Sequence, residues 1–373
     1  VSKVAVIGQG IVGRSLSDAI ARSEKHSVIG IDVNQALVQS LSDTVDYPVS
    51  SDYSDIKSSD ILVVCVPTVV AKPGLPSSAY VFNAIKSISK NIKDGALVII
   101  ESTVPIGTTR RLHRVLEESS KYFELAYSPE RINVGGHSWN ISNTPKIVSG
   151  ITELARDRAE DFYKTFIDEV VLSGSVEDAE AAKLLENAYR LINISFINEY
   201  AMILDKLGIN VNSVISLADT KPFGFSSFRP GLGAGGDCIP VDPTFILEST
   251  AELGIEAGMI DKALSVNDKA INYFISLAIN RLGTVNNKKI CIVGISYKPN
   301  VEYTTNSQGL ELLNRLNSLG ANTYWHDDVV KKYRNTESQN IDSKTDLVIV
   351  VHRHDGFDTS ILNNMQVIDC ERI

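Results

Sequence analysis

Val4-Ala5-Val6-Ile7-Gly8-Gln9-Gly10-Ile11-Val12-Gly13 combines an apolar run with closely spaced glycines near the start of the sequence. Four apolar residues predict a buried strand, and glycines spaced GxGxxG directly after it predict a tight turn opening a helix. Gly8 permits the turn, Gly10 lets backbone approach a pyrophosphate, and Gly13 lets the helix pack close to the strand. A helix opening at Ile11 and Val12 offers unpaired backbone N–H groups and its positive dipole end to phosphate. Asp32 closes the next apolar run, Ser27 to Ile31, about twenty residues beyond the glycines. A carboxylate there accepts hydrogen bonds from ribose hydroxyls and repels a 2′-phosphate. The expected ligand is therefore NAD rather than NADP.

Working outward, Ile61 to Val66 and Ala96 to Ile100 are further β-branched runs separated by helical stretches, which predicts βαβ units and a buried parallel sheet. From about residue 176 to 219 the pattern turns to long helix. Ala179, Ala182, Leu185, Ala188, Tyr189, Ile192 and Phe196 recur there at spacings of three and four, and are expected to form its buried face. A glycine- and proline-rich stretch, 221–243, exceeds an ordinary connection, and loops of that length tend to be functional. Helical pattern resumes over 245–282, and a second alternating series begins at Lys289 to Gly294, followed by strand-like runs at 321–325 and 347–351. Expected domains are 1–175, 176–285 and 286–373: α/β, then helical, then a smaller α/β unit.

The chain has 373 residues, 43% hydrophobic and 22% charged, as in soluble globular proteins. A net charge of −9 argues against nucleic-acid and anionic-membrane partners and leaves room for a small anionic ligand. Cys65, Cys238, Cys291 and Cys370 contain no CxxC pair, so neither zinc nor a disulfide framework is expected. With no signal-like N-terminus and no apolar run of about 18 residues, the expectation is a cytoplasmic protein without a bound metal.

Cys238 lies in Pro230-Gly231-Leu232-Gly233-Ala234-Gly235-Gly236-Asp237-Cys238-Ile239-Pro240-Val241-Asp242-Pro243. So many glycines suit close approach of a ligand and are costly if nothing comes near. Cys65 and Cys291 sit in apolar runs and read as small core residues. On the long helix Lys183 and Asn187 share a face with Glu180 and Glu186 nearby and Arg190 one turn on; spacing alone makes this an ordinary solvated charged face.

At these residues the chain resembles the UDP-glucose/GDP-mannose dehydrogenase family through nearly its whole length. The resemblance rests on the glycine fingerprint, Val66-Pro67-Thr68, Glu101 to Thr109, Ser128-Pro129-Glu130-Arg131, Glu180 to Asn187, the Cys238 loop and Gly294-Ile295-Ser296-Tyr297-Lys298-Pro299. It implies an α/β fold of two Rossmann-like domains with parallel sheets, joined by a long central helix in an all-helical middle domain that forms the core of a homodimer, with the active site in the cleft between the domains. It also implies roles: Cys238 as nucleophile, Lys183 and Asp242 handling protons and water, Asn187 holding an oxyanion, Thr103 and Glu130 flanking the nicotinamide and the reacting carbon. Pro67 and Thr68 would line the cofactor, and Arg131, Arg190, Gly235, Tyr297 and Lys298 the nucleotide sugar. The implied reaction is a four-electron oxidation of a sugar C6 hydroxyl through a thiohemiacetal and a thioester.

The Ser-Pro-Glu-Arg form, Thr220-Lys221-Pro222-Phe223-Gly224 and Cys-Ile-Pro-Val-Asp-Pro resemble the branch acting on UDP-N-acetylhexosamines, UDP-N-acetylmannosamine first; UDP-glucose and GDP-mannose are the alternatives. Two positions depart from the pattern. Asp237 stands where that branch has histidine, and a carboxylate beside a thiol raises its pKa. Thr305 replaces an arginine. The second α/β unit lacks a glycine fingerprint after Gly294, and His352 and His354 read as surface or locally hydrogen-bonded residues. A single-step dehydrogenase of the 3-hydroxyacid type would need no cysteine loop, whereas a sensor without turnover would draw its only support from Asp237 and Thr305.

Overall fold

The computed structural model describes residues 1–68, 70–71, 75–132 and 138–372, which separate into two compact units: 1–186 with 244–255, and 187–243 with 256–373.

In the first unit the strands are β1 (Ser2–Ile7), β2 (His26–Ile31), β3 (Val49–Ser50), β4 (Ile61–Val64), a short antiparallel pair β5 (Val70–Ala71) and β6 (Leu75–Pro76), then β7 (Ala96–Ile100), β8 (Phe123–Tyr127), β9 (Lys146–Gly150) and β10 (Val170–Leu172). Helices α1 (Ile11–Ser23), α2 (Gln35–Leu41), α3 (Ala79–Asn91), α4 (Thr108–Glu117) and α5 (Glu153–Tyr163) connect them. An eight-stranded sheet runs β10-β9-β8-β7-β4-β1-β2-β3, parallel except where β8 meets β9. Its central strands are buried on both faces, as parallel strands between helices must be. Ala5, Ile7, Leu62, Val64, Val98 and Ile100 enter one core, while Val4, Val6, Ile61, Val63, Leu97 and Ile99 enter the other. From β1 the chain proceeds to β2 and β3 on one side and to β4 and β7 on the other, which opens a crevice at the carboxyl ends of β1 and β4.

Helix α6 (Val176–Lys206) gives residues 176–186 to the first unit and the remainder to the second. The expected buried stripe is only partly right. Ala179 and Ala188 are buried, but Leu185, Tyr189 and Phe196 are exposed; the buried face runs instead through Leu184, Ala188, Leu191, Ser195 and Asn198. Two polar residues on that face disguise it: Ser195 donates to the Ala263 carbonyl (2.7 Å), and Asn198 Oδ1 accepts from Gly231 N–H (2.8 Å) while its buried Nδ2 meets no partner among the described residues.

The second unit continues with α7 (Val211–Ala218), the start of α8 (Asp242–Leu253), α9 (Gly258–Leu282), β11 (Lys289–Val293), α10 (Gln308–Ser318), β12 (Asn322–His326), the hairpin β13 (Lys332–Tyr333) and β14 (Thr336–Glu337), β15 (Leu347–Val350) and β16 (Val367–Asp369). A four-stranded parallel sheet runs β12-β11-β15-β16. Ile290, Ile292, Leu347 and Ile349 pack there against Phe274, Ala278, Leu312 and Leu316 of α9 and α10. The fold is thus α/β, with Rossmann-like sheets toward both ends and a helix-rich middle containing α6. Among the described residues no helix is long and apolar enough to cross a membrane.

Candidate active site

In the first unit the fingerprint takes the geometry its glycines require. Gly8 has φ +93°, and a Cβ on Gly13 would stand 1.8 Å from the Gly8 carbonyl oxygen, so only glycine lets α1 lie this close to the turn. Around Gly10 a Cβ would meet nothing within 4 Å. That open space borders the α1 N-terminus, where Gly10 is the N-cap and no side chain caps the helix. Its first N–H groups, at Ile11, Val12 and Gly13, suit a pyrophosphate. Asp32 follows β2 and is half-buried. Its oxygens accept from the Gln9 and Asn34 N–H groups (2.8 and 2.9 Å), which aims the carboxylate while leaving acceptor capacity for a ribose diol. Gln9 is a residue the sequence reading passed over. Fully buried, it donates to the Val6 carbonyl (3.0 Å), accepts from Tyr47 (3.1 Å), and packs where a Cβ on Gly30 would have to go.

The other expected residues of this unit follow the carboxyl ends of neighbouring parallel strands: Pro67 and Thr68 after β4, Thr103 after β7, Glu130 and Arg131 after β8. Glu130 accepts from Ile132 N–H. Arg131 clasps Glu186 through Nη2 (2.7 Å) and Nε (3.3 Å) and donates to the Pro145 carbonyl (2.7 Å). A buried ion pair escaped the sequence reading, because its members are far apart in the chain, one just after β7 and one at the start of β9. Lys146 Nζ is 2.8 Å from Glu101 Oε1, which also accepts from Tyr163 (2.5 Å).

The expected solvated face of α6 is corrected here. Glu180 and Lys183 are buried, and Asn187 is half-buried. Glu180 Oε1 and Oε2 accept from Thr109 N–H (2.8 Å), Thr109 Oγ1 (2.6 Å) and Gly107 N–H (2.5 Å), which ties α6 to the N-terminus of α4. Burial raises the Glu180 pKa against the opposing pull of those hydrogen bonds.

In the second unit Asn187 Nδ2 donates to the buried carboxylate of Asp242 (2.5 Å). Asp242 N–H in turn bonds to the Cys238 carbonyl (2.8 Å), so the start of α8 sets the end of the cysteine loop. The loop's other end is held by Asn198 at Gly231 and by buried Asn267, which bonds both N–H (2.6 Å) and C=O (3.1 Å) of Ala234. Cys238 is the one exposed cysteine, whereas Cys65, Cys291 and Cys370 are buried. Burial pushes the Cys291 thiol up to about 12, and Cys65 and Cys370 well above their ordinary range. Lys298 is drawn below its usual pKa by burial and by Arg190, with Cys238 pulling the other way. Arg190 and Lys298 therefore lie within electrostatic reach of each other, and Lys298 within reach of the sulfur.

A cavity of about 710 Å³ in this unit is bordered by Arg229, Gly231, Tyr297, Lys298, His352 and Arg372, a size suited to a small ligand. His352 on its wall and the neighbouring His354 are buried and locally hydrogen-bonded, the second of the two expectations for them. His354 Nδ1 accepts from Asn300 N–H (2.8 Å), so its Nε2 donates to Asp327 (2.7 Å); His352 Nε2 meets Ser296 Oγ at 2.9 Å. Asp327, His352 and His354 offer metal-ligand atoms within 4.8 Å of one another, but these bonds already occupy Asp327 and His354. Asp327 follows β12 as Asp32 follows β2. It accepts from Ile295, Ser296, Val329 and Val330 N–H as well as His354, and is buried, so no ribose can reach it. Burial alone would raise its pKa; His354 and the backbone N–H groups outweigh that and hold it well below the usual range.

Models of the UDP-glucose/GDP-mannose dehydrogenase family match this chain in three parts: the NAD binding domain at 36–167, the central domain at 177–269 and the UDP binding domain at 291–373. A UDP-N-acetyl-D-mannosamine dehydrogenase of Methanococcus maripaludis is 30% identical, covering 96% of this chain and 88% of its own length. A UDP-N-acetyl-D-glucosamine 6-dehydrogenase of Pseudomonas aeruginosa is 31% identical over 84% and 80%. The solved structure of a UDP-D-ManNAc dehydrogenase from Pyrococcus horikoshii superposes with a TM-score of 0.89 at 26% identity, covering 99% of this chain and 95% of that one. With the glycine fingerprint and matches along the chain in hand, the protein belongs to the UDP-glucose/GDP-mannose dehydrogenase family, NAD-dependent dehydrogenases acting on nucleotide sugars.

Proposed function

We propose that the chain oxidises the C6 hydroxyl of a UDP-N-acetylhexosamine, UDP-N-acetylmannosamine foremost, to the uronate, with domains 1–175 for NAD, 176–285 for the chemistry and 286–373 for the nucleotide. The reading is carried by Cys238, an exposed thiol in a loop whose backbone is pinned on both sides by Asn198, Asn267 and Asp242. The names of the relatives support the substrate class. NAD, when bound, accepts the hydride in each of two oxidations. Cys238 adds to the aldehyde carbon to form a thiohemiacetal, which on oxidation becomes a thioester, and water releases the acid and returns the thiol. Lys183 supplies positive charge to the alkoxide and Asn187 an amide donor, while Asp242 orients Asn187 and Glu130 assists hydrolysis. Thr103 with Pro67 and Thr68 lines the cofactor, and Arg131, Arg190, Gly235, Tyr297 and Lys298 hold the nucleotide sugar.

A homodimer belongs to the same proposal. Leu185, Tyr189, Phe196, Tyr200, Ile203 and Leu207 form an exposed apolar stripe along α6 and just beyond its end, with Phe196 and Tyr200 stacked at 6.1 Å, and a second copy of the chain is its natural cover.

The experiment is to count NADH per sugar across UDP-glucose, GDP-mannose and the UDP-N-acetylhexosamines, with the product's mass recorded. Two NADH and a uronate from one acetamido sugar are expected. Cys238→Ser should lose the second oxidation, and unchanged two-NADH turnover in that variant would remove the thioester route.

A further inference from the structure

The cysteine loop is fastened to a second segment of its own unit, 303–306, through Asp237. Asp237, next to Cys238, accepts from the Tyr303 hydroxyl through Oδ2 and from Asn306 Nδ2 through Oδ1 (3.3 Å). Thr305 lies between those partners in sequence. The backbones are locked as well. Gly236 N–H donates to the Asn306 carbonyl (3.2 Å), Asn306 Nδ2 returns to the Gly236 carbonyl (3.3 Å), and Gln308 Nε2 donates to the Ala234 carbonyl (3.0 Å). Asn306 reaches these groups from a left-handed backbone, φ +50°, a conformation asparagine tolerates better than most residues. A Cβ on Gly236 would stand 2.8 Å from the Tyr297 ring, which itself packs edge-on to Tyr303 at 5.7 Å. The loop therefore seats on a tyrosine pair with its Asp237 carboxylate engaged by a phenol and an amide.

We propose that Asp237 is a positioning residue: bound by Tyr303 and Asn306, it latches the Cys238 loop to segment 303–306 and keeps its charge on the phenol instead of on the neighbouring thiol. Burial and the bond to Asp237 push Tyr303 up to about 12, so the phenol keeps the proton it donates. Lys298 is a cation within reach of the sulfur, with Arg190 acting on Lys298 in turn. The proposal rests on Cys238 as the nucleophile, and its test separates the two.

In the substrate-free full chain, iodoacetamide reads Cys238 selectively, because the other three cysteines are buried. Tyr303→Phe keeps the ring and removes the donor. It should raise the pH midpoint of alkylation and lower kcat about tenfold, the loss of one charge-assisted hydrogen bond, with KM for the nucleotide sugar within about twofold. Asp237→Ala should lower kcat as much, and adding Tyr303→Phe to it should cost nothing more, since residues acting as one unit are not additive. Asp237→Asn, whose amide oxygen still accepts from the phenol while its amide nitrogen faces the Asn306 donor, should lose less activity than Asp237→Ala. A wild-type alkylation profile in Tyr303→Phe, additive losses in the double variant, or equal losses for Asp237→Asn and Asp237→Ala would each overturn the latch. If Tyr303→Phe does not fold, the Asp237 pair still decides. Full two-NADH turnover by Cys238→Ser would instead remove the nucleophile assignment while leaving the alkylation result standing.

Discussion

At the scale of single residues, two carboxylates at equivalent strand ends have opposite fates. Asp32 is held by two backbone N–H groups and keeps acceptor capacity, whereas Asp327 spends its own on four backbone N–H groups and His354. Asp32→Ala should lower kcat/KM for NAD about 10- to 100-fold, the worth of hydrogen bonds to a charged group, and narrow discrimination against NADP. Initial rates with each cofactor check it. His352 carries a pH prediction. Burial, with His354 adding to it, lowers its pKa from 6.5 to about 4, so between those values the unfolded chain binds a proton that the folded chain refuses. Its contribution is fully present above pH 6.5 and is lost as pH falls toward 4, about 3 kcal/mol in all. Urea unfolding at pH 7 and pH 4.5 should show a smaller acid loss in His352→Gln than in the parent.

At the scale of elements, α6 is held by a carboxylate rather than by apolar packing alone. Glu180 satisfies three donors at the start of α4, where N–H groups lack intrahelical partners. Glu180→Ala strands those donors in a buried place and should cost about 3 kcal/mol in chemical denaturation. Glu180→Gln keeps an acceptor oxygen and should cost about half as much. Loops obey the same logic. The cysteine loop carries no regular hydrogen-bonding pattern, so its backbone groups are met by Asn198, Asn267 and Gln308 from three different helices.

At the scale of the whole molecule, the apolar stripe on α6 predicts association. Phe196→Glu combined with Ile203→Glu places charge on residues that are exposed in the single chain, 60% and 51%, so it should leave the fold intact and convert a dimer into a monomer by light scattering. A dimer that survives both substitutions would place the interface elsewhere.

The strands, the dinucleotide turn and the long helix were legible in the sequence because each depends on short-range causes. β-branched runs, glycine sterics and a 3.6-residue period act within a few positions. The same residues left other matters undecided. Periodicity could not choose the buried face of α6, since Ser195 and Asn198 look like surface residues until Ala263 and Gly231 are placed against them. Composition could not bury His352 and His354 or bring Lys146 to Glu101. Nor could it aim Asp237, whose partner Tyr303 is 66 positions away. Burial, dielectric and side-chain direction are set by neighbours from distant parts of the chain, so which charges are locked into the fold and which carboxylate keeps acceptor capacity followed only from the tertiary structure.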